Sequence, residues 1–111
     1  MAPGAVEGEN LAVIAVEGKL VLGAALNSLR EQLEKSLQTS AQQIVIDLSR
    51  VTYIDSAGIG ALALAFFTAK NSGRSLKLGG PQPKVKDAIG LTRLDTVIPI
   101  VAAPAKPQPN I

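Results

Sequence analysis

The sequence predicts an α/β fold, a single domain in which three to four helices cover a mixed, largely parallel sheet of about five strands. The chain has 111 residues, which is the length of one domain. Aromatic residues make up only 3% of it, so aliphatic side chains must fill the core, as they do around buried parallel strands. Short apolar runs alternate with helical patterns, and this order favours a sheet with helices packed against it.

The first half of the chain contains two short predicted strands, one helix and one buried strand. The apolar run 11–16 and the segment 19–22 predict two strands, because Gly18 interrupts the apolar pattern between them. From Ala24 onward, leucines recur at helical spacing with charged residues on the opposite face, which predicts an amphipathic helix. Residues 44–48 are the clearest buried strand of the chain.

A second helix is predicted to follow and to be apolar almost all round. It begins at Ser56, since serine favours the N-cap position, and it ends near residues 71–73. The side chains predicted to face the sheet are Ile59, Leu62, Ala63 and Phe66. Leu64 and Phe67 lie more to the outside, where packing under a third helix is the favoured interpretation and a partner or self-association surface is the alternative.

The remaining predicted elements are short. Residues 76–78 predict a strand. Val85 and Ile89 suggest a third helix, which Gly90 ends. Residues 97–101 predict a last strand at the edge of the sheet, because proline is tolerated at edges.

Domain boundaries follow from these elements. Residues 10–101 form the predicted domain, residues 1–9 an N-terminal segment, and residues 102–111 a flexible Pro-rich tail. The start of the chain has neither the basic nor the apolar region of a secretory signal. The longest apolar stretch, residues 59–67, is far shorter than the roughly 20 residues of a membrane span. We therefore expect a cytoplasmic protein that does not associate with a membrane.

The residue types that the chain lacks exclude several kinds of chemistry. It contains no cysteine and no histidine, which removes disulfides, thiol catalysis and the usual zinc and copper sites. The absence of histidine also removes the commonest general base. We therefore expect no metal, no cofactor and no enzymatic activity.

Charge is distributed unevenly along the chain. Residues 1–55 contain four basic and seven acidic residues, a balance of −3, whereas residues 56–111 contain seven basic and two acidic residues, a balance of +5. A basic half is one way to face nucleic acid. No aromatic platform or recognition-helix pattern accompanies it, so a solvated basic face is the favoured interpretation and no direct nucleic-acid binding is expected.

The loop that follows the buried strand 44–48 and leads into the second helix, read as residues 51–60, is the candidate functional site, because functional loops lie at the carboxyl ends of parallel strands. Ser56 would stand at a helix N-terminus, which favours the negative charge of a phosphate. Ala57 and Gly58 leave room for a partner's ATP site beside the hydroxyl. Asp55 is placed either to orient that hydroxyl or to contact a metal–nucleotide complex on the partner. From spacing alone, an ordinary helix-capping loop is the simpler interpretation.

Two enzymatic interpretations of the same segment are weaker. Residues 58–63 fit the dinucleotide-binding pattern G-x-G-x-x-A, but no acidic residue stands about 20 positions further on, and a second nucleotide-binding half is missing. Ser56 as a catalytic nucleophile would have no histidine base and lies outside any G-x-S-x-G elbow.

The segment around Ser56 also resembles a known family signature. Residues 44–62, with Asp-Ser-Ala-Gly at positions 55–58, are similar to the signature of STAS domains, in particular those of anti-sigma factor antagonists. The resemblance extends over the whole predicted domain. It includes the segments 18–20, 73–81 and 85–95.

The resemblance implies a switch between binding partners. An unphosphorylated antagonist binds an anti-sigma factor that is also an ATP-dependent serine kinase, and the sigma factor is released. The kinase then phosphorylates the serine, here Ser56, the complex dissociates, and a metal-dependent phosphatase of the PP2C type restores the active form. The implied partner-binding residues are Asp55, Ser56, Ala57, Gly58 and Val21. Many family members carry an acidic residue where this chain has Val21, which changes how the neighbouring loop meets a kinase.

The alternative hypothesis is a non-switching STAS adaptor subunit of a lipid-transport or sensory complex. In that case Ser56 acts only as a helix cap. The leading hypothesis, by contrast, is a bacterial phosphoprotein that regulates transcription through a sigma factor.

Overall fold

The sheet of the domain consists of four parallel strands that follow one another in chain order. The structure, a computed structural model, describes residues 10–104. Its elements are β1 (Leu11–Leu20), α1 (Ala24–Leu37), β2 (Gln43–Ile54), α2 (Ser56–Asn71), β3 (Ser75–Gly79), α3 (Pro83–Leu91), a short 3-10 helix (Leu94–Thr96) and β4 (Ile100–Val101). The predicted α/β class with a largely parallel sheet is confirmed.

One face of the sheet holds the core. Each helical connection joins a strand to its immediate neighbour, and the chain moves across the sheet in one direction from β1 to β4. Because crossovers between parallel strands are right-handed, the three helices lie over the same face. Ile14, Ile46 and Leu78 stand in one register row of β1, β2 and β3 and are fully buried. Leu29 and Leu33 of α1 are buried against this face, as the leucine periodicity predicts.

Strand β1 is continuous where two strands were predicted. Its ladder with β2 runs from Leu11 to Leu20 and changes register twice, and β2 contributes an extra residue each time. Gly18, beside the second change, takes the left-handed conformation with φ 78°. Pairing resumes at Lys19, as across a β-bulge, so the glycine interrupts the apolar pattern without ending the strand. For this reason the sheet of residues 10–104 has four strands, where about five were expected.

Strand β2 is longer than the predicted strand 44–48. Its second half, residues 48–54, pairs with β1 alone, because β3 reaches only as far as Asp47. The polar residues of this half had suggested a loop, but Val51 and Ile54 are buried between them. Helix α3 packs beside this half of β2, and the Gln82 amide donates a hydrogen bond to the Ser49 carbonyl oxygen at 2.8 Å.

Helix α2 begins at Ser56, as predicted, but its inward face differs from the prediction. The most deeply buried residues are Gly58, Leu62, Ala65 and Ala69. Of the residues predicted to face the sheet, Leu62 is fully buried and the other three are only partly buried. Leu64 and Phe67 remain 68% and 49% exposed, so the expected packing under α3 is wrong. Helix α3 occupies the space beside β2 and leaves this face of α2 uncovered.

The C-terminal elements differ in length from the predictions. Strand β4 has two residues where the segment 97–101 was expected, because it pairs only with Leu78 and Gly79 at the end of β3. Ile98 is fully buried in the core just before it. Helix α3 also continues through Gly90 by one residue.

Parts of the predicted terminal segments, residues 1–9 and 105–111, lie outside the described residues. Of the predicted tail, residues 102–104 pass close to Gly79, where an added Cβ would meet the Pro104 ring at 2.9 Å. Among residues 10–104, no helix combines the length and apolar character that crossing a membrane requires.

Candidate functional site

The candidate site lies at the carboxyl ends of β1 and β2. Leu20 and Ile54 are paired as the last residues of these two strands, so the connections that follow them emerge side by side. The connection from β2 to α2 is the single residue Asp55, and the connection from β1 to α1 spans residues 21–23. The five residues implied by the family resemblance therefore stand at one edge of the sheet.

Asp55 is the N-cap of α2. Its backbone is extended, with φ −117° and ψ −170°, and its Oδ1 accepts a hydrogen bond from the Gly58 N–H at 3.1 Å. The cap role that serine propensity had assigned to Ser56 therefore belongs to the residue before it. Aspartate is as good a cap as serine, and its carboxylate also favours the positive end of the helix dipole.

Ser56 is the first residue within α2, and it is exposed. Because Asp55 caps the helix, the Ser56 hydroxyl is not needed for this task, and it makes no hydrogen bond to any other residue in the range 10–104. The N–H groups of a first helical turn point outward and the helix dipole is positive there. The hydroxyl thus stands, accessible, where a negative charge is stabilised.

Gly58 allows the first turn of α2 to lie directly on the strand ends. A Cβ at this position would stand 2.2 Å from the Leu20 carbonyl oxygen and 2.6 Å from Cγ1 of Ile54. No side chain fits there without displacing the backbone. Gly60 differs, since a Cβ there would meet no atom within 4 Å. The first glycine of the G-x-G-x-x-A pattern is therefore explained by close packing inside the domain, and this explanation does not require a bound nucleotide.

The connection from β1 to α1 adds an apolar side chain that the sequence had not singled out. Val21 is partly buried, whereas Leu22 is 84% exposed. Both line an open groove of about 430 Å³ between β1 and the start of α1. The other lining residues are Ala15, Val16, Glu17, Lys19, Ala24, Ala25 and Ser28. A leucine directly before a glycine in a short connection was the available signal for an exposed apolar residue at this edge.

The neighbours of Ser56 determine what chemistry this edge of the sheet can offer. The carboxylate nearest in sequence, Asp55, is engaged as a cap, and histidine is absent from the chain. In the described part of the chain, no group of three or more acidic residues is placed to hold a metal ion. What the site presents is an exposed hydroxyl, a helix N-terminus and an apolar neighbour.

Comparison with known proteins identifies the family. Residues 2–106 match the family model of the STAS domain. The chain belongs to the STAS domain family. The resemblance of residues 44–62 is therefore confirmed, and the sheet and helices described above are those of a STAS domain.

Solved STAS domains share the fold at low sequence identity. The anti-sigma factor antagonist SpoIIAA in its unphosphorylated form has a TM-score of 0.68 and 19% identity, covering 84% of this chain and 81% of that one. The Bacillus cell fate determinant SpoIIAA in its phosphorylated form has a TM-score of 0.63 and 18% identity, covering 84% of both chains. The STAS domain of a SulP transporter from Vibrio cholerae has a TM-score of 0.71 and 21% identity, covering 86% of this chain and 76% of that one.

Proposed function

We propose that this STAS domain is an anti-sigma factor antagonist that is switched off by phosphorylation of Ser56. In the unphosphorylated form it binds an anti-sigma factor that is also a serine kinase, and the sigma factor is released. A PP2C-type phosphatase reverses the modification. The observation that carries the proposal is the exposed Ser56 hydroxyl at the first position of α2, which makes no hydrogen bond to another residue within residues 10–104.

A phosphate on Ser56 is compatible with the fold. It adds about −1.5 to −2 charges at neutral pH, beside outward-pointing N–H groups and the positive end of a 16-residue helix. Repulsion from the neighbouring Asp55 carboxylate works against this, but solvent at the exposed site screens it. In support, the phosphorylated and unphosphorylated forms of SpoIIAA both share this fold.

The same phosphate is incompatible with a closely packed interface. A partner surface that fits a neutral hydroxyl must desolvate a dianion once the phosphate is attached, and any acidic group opposite it is repelled. The modification therefore changes binding without unfolding the domain. In this mechanism Ser56 accepts a phosphoryl group from ATP bound by the kinase, so this chain needs no cofactor of its own.

A phosphotransfer assay tests the proposal. Each serine-kinase anti-sigma factor encoded in the same genome is purified and incubated with the chain and MgATP, and intact mass is measured. We expect the mass of one phosphate with one of these kinases, and no gain for Ser56→Ala. The matched control is Ser40→Ala, because Ser40 is also exposed and its hydroxyl makes no hydrogen bond within residues 10–104. Phosphate on another residue, or on none, would contradict the proposal.

Binding measurements separate the switch hypothesis from the adaptor hypothesis. The adaptor hypothesis is a second candidate because the STAS domain of a transporter has the same fold. We expect Ser56→Asp to weaken binding of the kinase and Ser56→Ala to retain it, because only the first variant places a charge in the interface. If no kinase modifies the chain and both variants bind a common partner equally well, an adaptor function replaces the switch.

A further inference from the structure

The outer side of α2 forms one continuous exposed stripe that starts at Ser56. Gly60, Leu64, Phe67 and Asn71 follow at helical spacing, and all are exposed. At 3.6 residues per turn these five positions fall within about 80° around the helix axis. We refer to them as the outer stripe. The proposed phosphorylation site is therefore the first position of this stripe.

The middle of the outer stripe is apolar and largely exposed. Leu64 is 68% exposed, and Phe67 is 49% exposed although it packs edge-on against the Phe66 ring at 5.3 Å. No charged residue occurs in α2 before Lys70. A surface of this kind loses little hydration free energy when a protein covers it, and it gains from the burial of apolar area.

The exposed area of the two apolar side chains is smaller than a whole interface. Leu64 and Phe67 together expose on the order of a few hundred Å². This is well below the roughly 800 Å² per partner that a stable interface buries. An interface of that size centred on them must include neighbouring surface. Ser56 lies only about 12 Å from Leu64 along the helix.

We propose that Leu64 and Phe67 are the apolar anchor on which the kinase that modifies Ser56 docks. The inference rests on the proposed function. A kinase that brings its ATP site to Ser56 must approach the exposed side of the α2 N-terminus, and a surface of standard size then extends over Gly60 and Leu64. A few residues buried near the centre of an interface supply most of its binding energy. The partner is thus a kinase with an apolar surface beside its nucleotide site.

Steady-state phosphorylation kinetics with the kinase found in the mass assay test this docking site. We expect Leu64→Gln to lower kcat/KM by about tenfold through a higher KM, with kcat within about twofold of the wild type, because the contact lies outside the reacting groups. The matched control is Leu91→Gln, the same substitution at a leucine of α3 that is 87% exposed. This control should behave like the wild type.

The outcomes separate the two proposals. If the wild type is phosphorylated on Ser56 and Leu64→Gln has the same KM as Leu91→Gln, the docking site is wrong and the proposed function stands. If no kinase modifies the wild type, both are overturned. If light scattering shows a wild-type dimer that Leu64→Gln dissociates while KM is unchanged, the stripe belongs to a second copy. Thermal unfolding of each variant checks that the exposed substitutions leave the fold intact.

Discussion

Helices α1 and α2 are neighbours of similar length over the same face of the sheet, but their ends and outer sides differ. Helix α1 has 14 residues, and its N-cap, Gly23, offers no side-chain hydrogen bond. Helix α2 has 16 residues, is capped by Asp55 and lies directly on the strand ends at Gly58. The outer side of α1 is charged, with Arg30, Glu31, Glu34 and Lys35 exposed, whereas that of α2 is Ser56 followed by apolar residues.

This difference separates a helix that only supports the sheet from one that also presents a surface. Alternating charges keep the outer side of α1 hydrated, so its contribution is the buried leucine face. The outer side of α2 has no such charges, and its N-terminus is held in place by a cap and by contact with both strands. A rigid helix end with an accessible hydroxyl and an apolar side is suited to binding another protein.

The largest effect should come from the buried face of α1. Leu29→Ala removes a side chain that is 2% exposed, and we expect it to lower the free energy of unfolding by about 3–4 kcal/mol through lost burial and a residual cavity. Leu64→Ala on the outer side of α2 is the matched control and should change it by less than about 0.5 kcal/mol. Urea denaturation measures both. Equal losses would mean that Leu64 is packed and that the two outer sides do not differ.

The next effect concerns how α2 meets the strands. Gly58→Ala places a Cβ against the Leu20 carbonyl oxygen, and we expect a loss of about 2–3 kcal/mol because backbone atoms must move. Gly60→Ala, two residues further along the helix and in open space, should stabilise the helix by about 0.5–1 kcal/mol, since alanine is the better helix former. Denaturation curves that show both variants unchanged would contradict the close contact at Gly58.

The cap of α2 should contribute less. Asp55→Ala removes the acceptor for the Gly58 N–H, and we expect it to cost about 1 kcal/mol of unfolding free energy. Asp55→Asn keeps a side-chain oxygen at the same place and should retain most of that stability. If asparagine is as destabilising as alanine, the carboxylate charge and not the cap hydrogen bond stabilises the helix end.

The smallest effect lies where α1 contacts the edge of the sheet. The Gln32 amide accepts from the Ala15 N–H at 3.1 Å and donates to the Ala15 carbonyl oxygen at 2.7 Å. Gln32→Ala should cost about 0.5–1 kcal/mol, because water replaces these hydrogen bonds at a partly exposed edge. Gln38→Ala is the control, since no hydrogen bond of that side chain occurs within residues 10–104. If thermal unfolding shows that Gln38→Ala is more destabilised than Gln32→Ala, the hydrogen bonds of Gln32 do not stabilise the contact between α1 and β1.

The sequence could predict the parts of the fold that depend on local patterns. Leucine periodicity located α1, and the start of α2 at Ser56 followed from helix-start signals. It could not show that Gly18 lies inside a strand. A glycine in an apolar run either ends the strand or interrupts its pattern locally, and which of these occurs depends on whether pairing with the neighbouring strand resumes after it. Nor could it distinguish Asp55 from Ser56 as the cap, since both residue types are favoured there.

At the candidate site, the sequence determines which chemical groups are present, and the tertiary structure determines which residues lie next to them. The sequence by itself determined the α/β class, the absence of histidine and cysteine chemistry, and a serine at the start of a helix, because these depend on composition and on short-range order. The tertiary structure decided that Asp55 frees the Ser56 hydroxyl, that Gly58 contacts Leu20, and that Leu64 remains exposed. The cap is a local contact, but the sequence could not choose between two residue types that both favour it. The other two features depend on which distant segment packs nearby, and α3 packs beside β2 and not over α2.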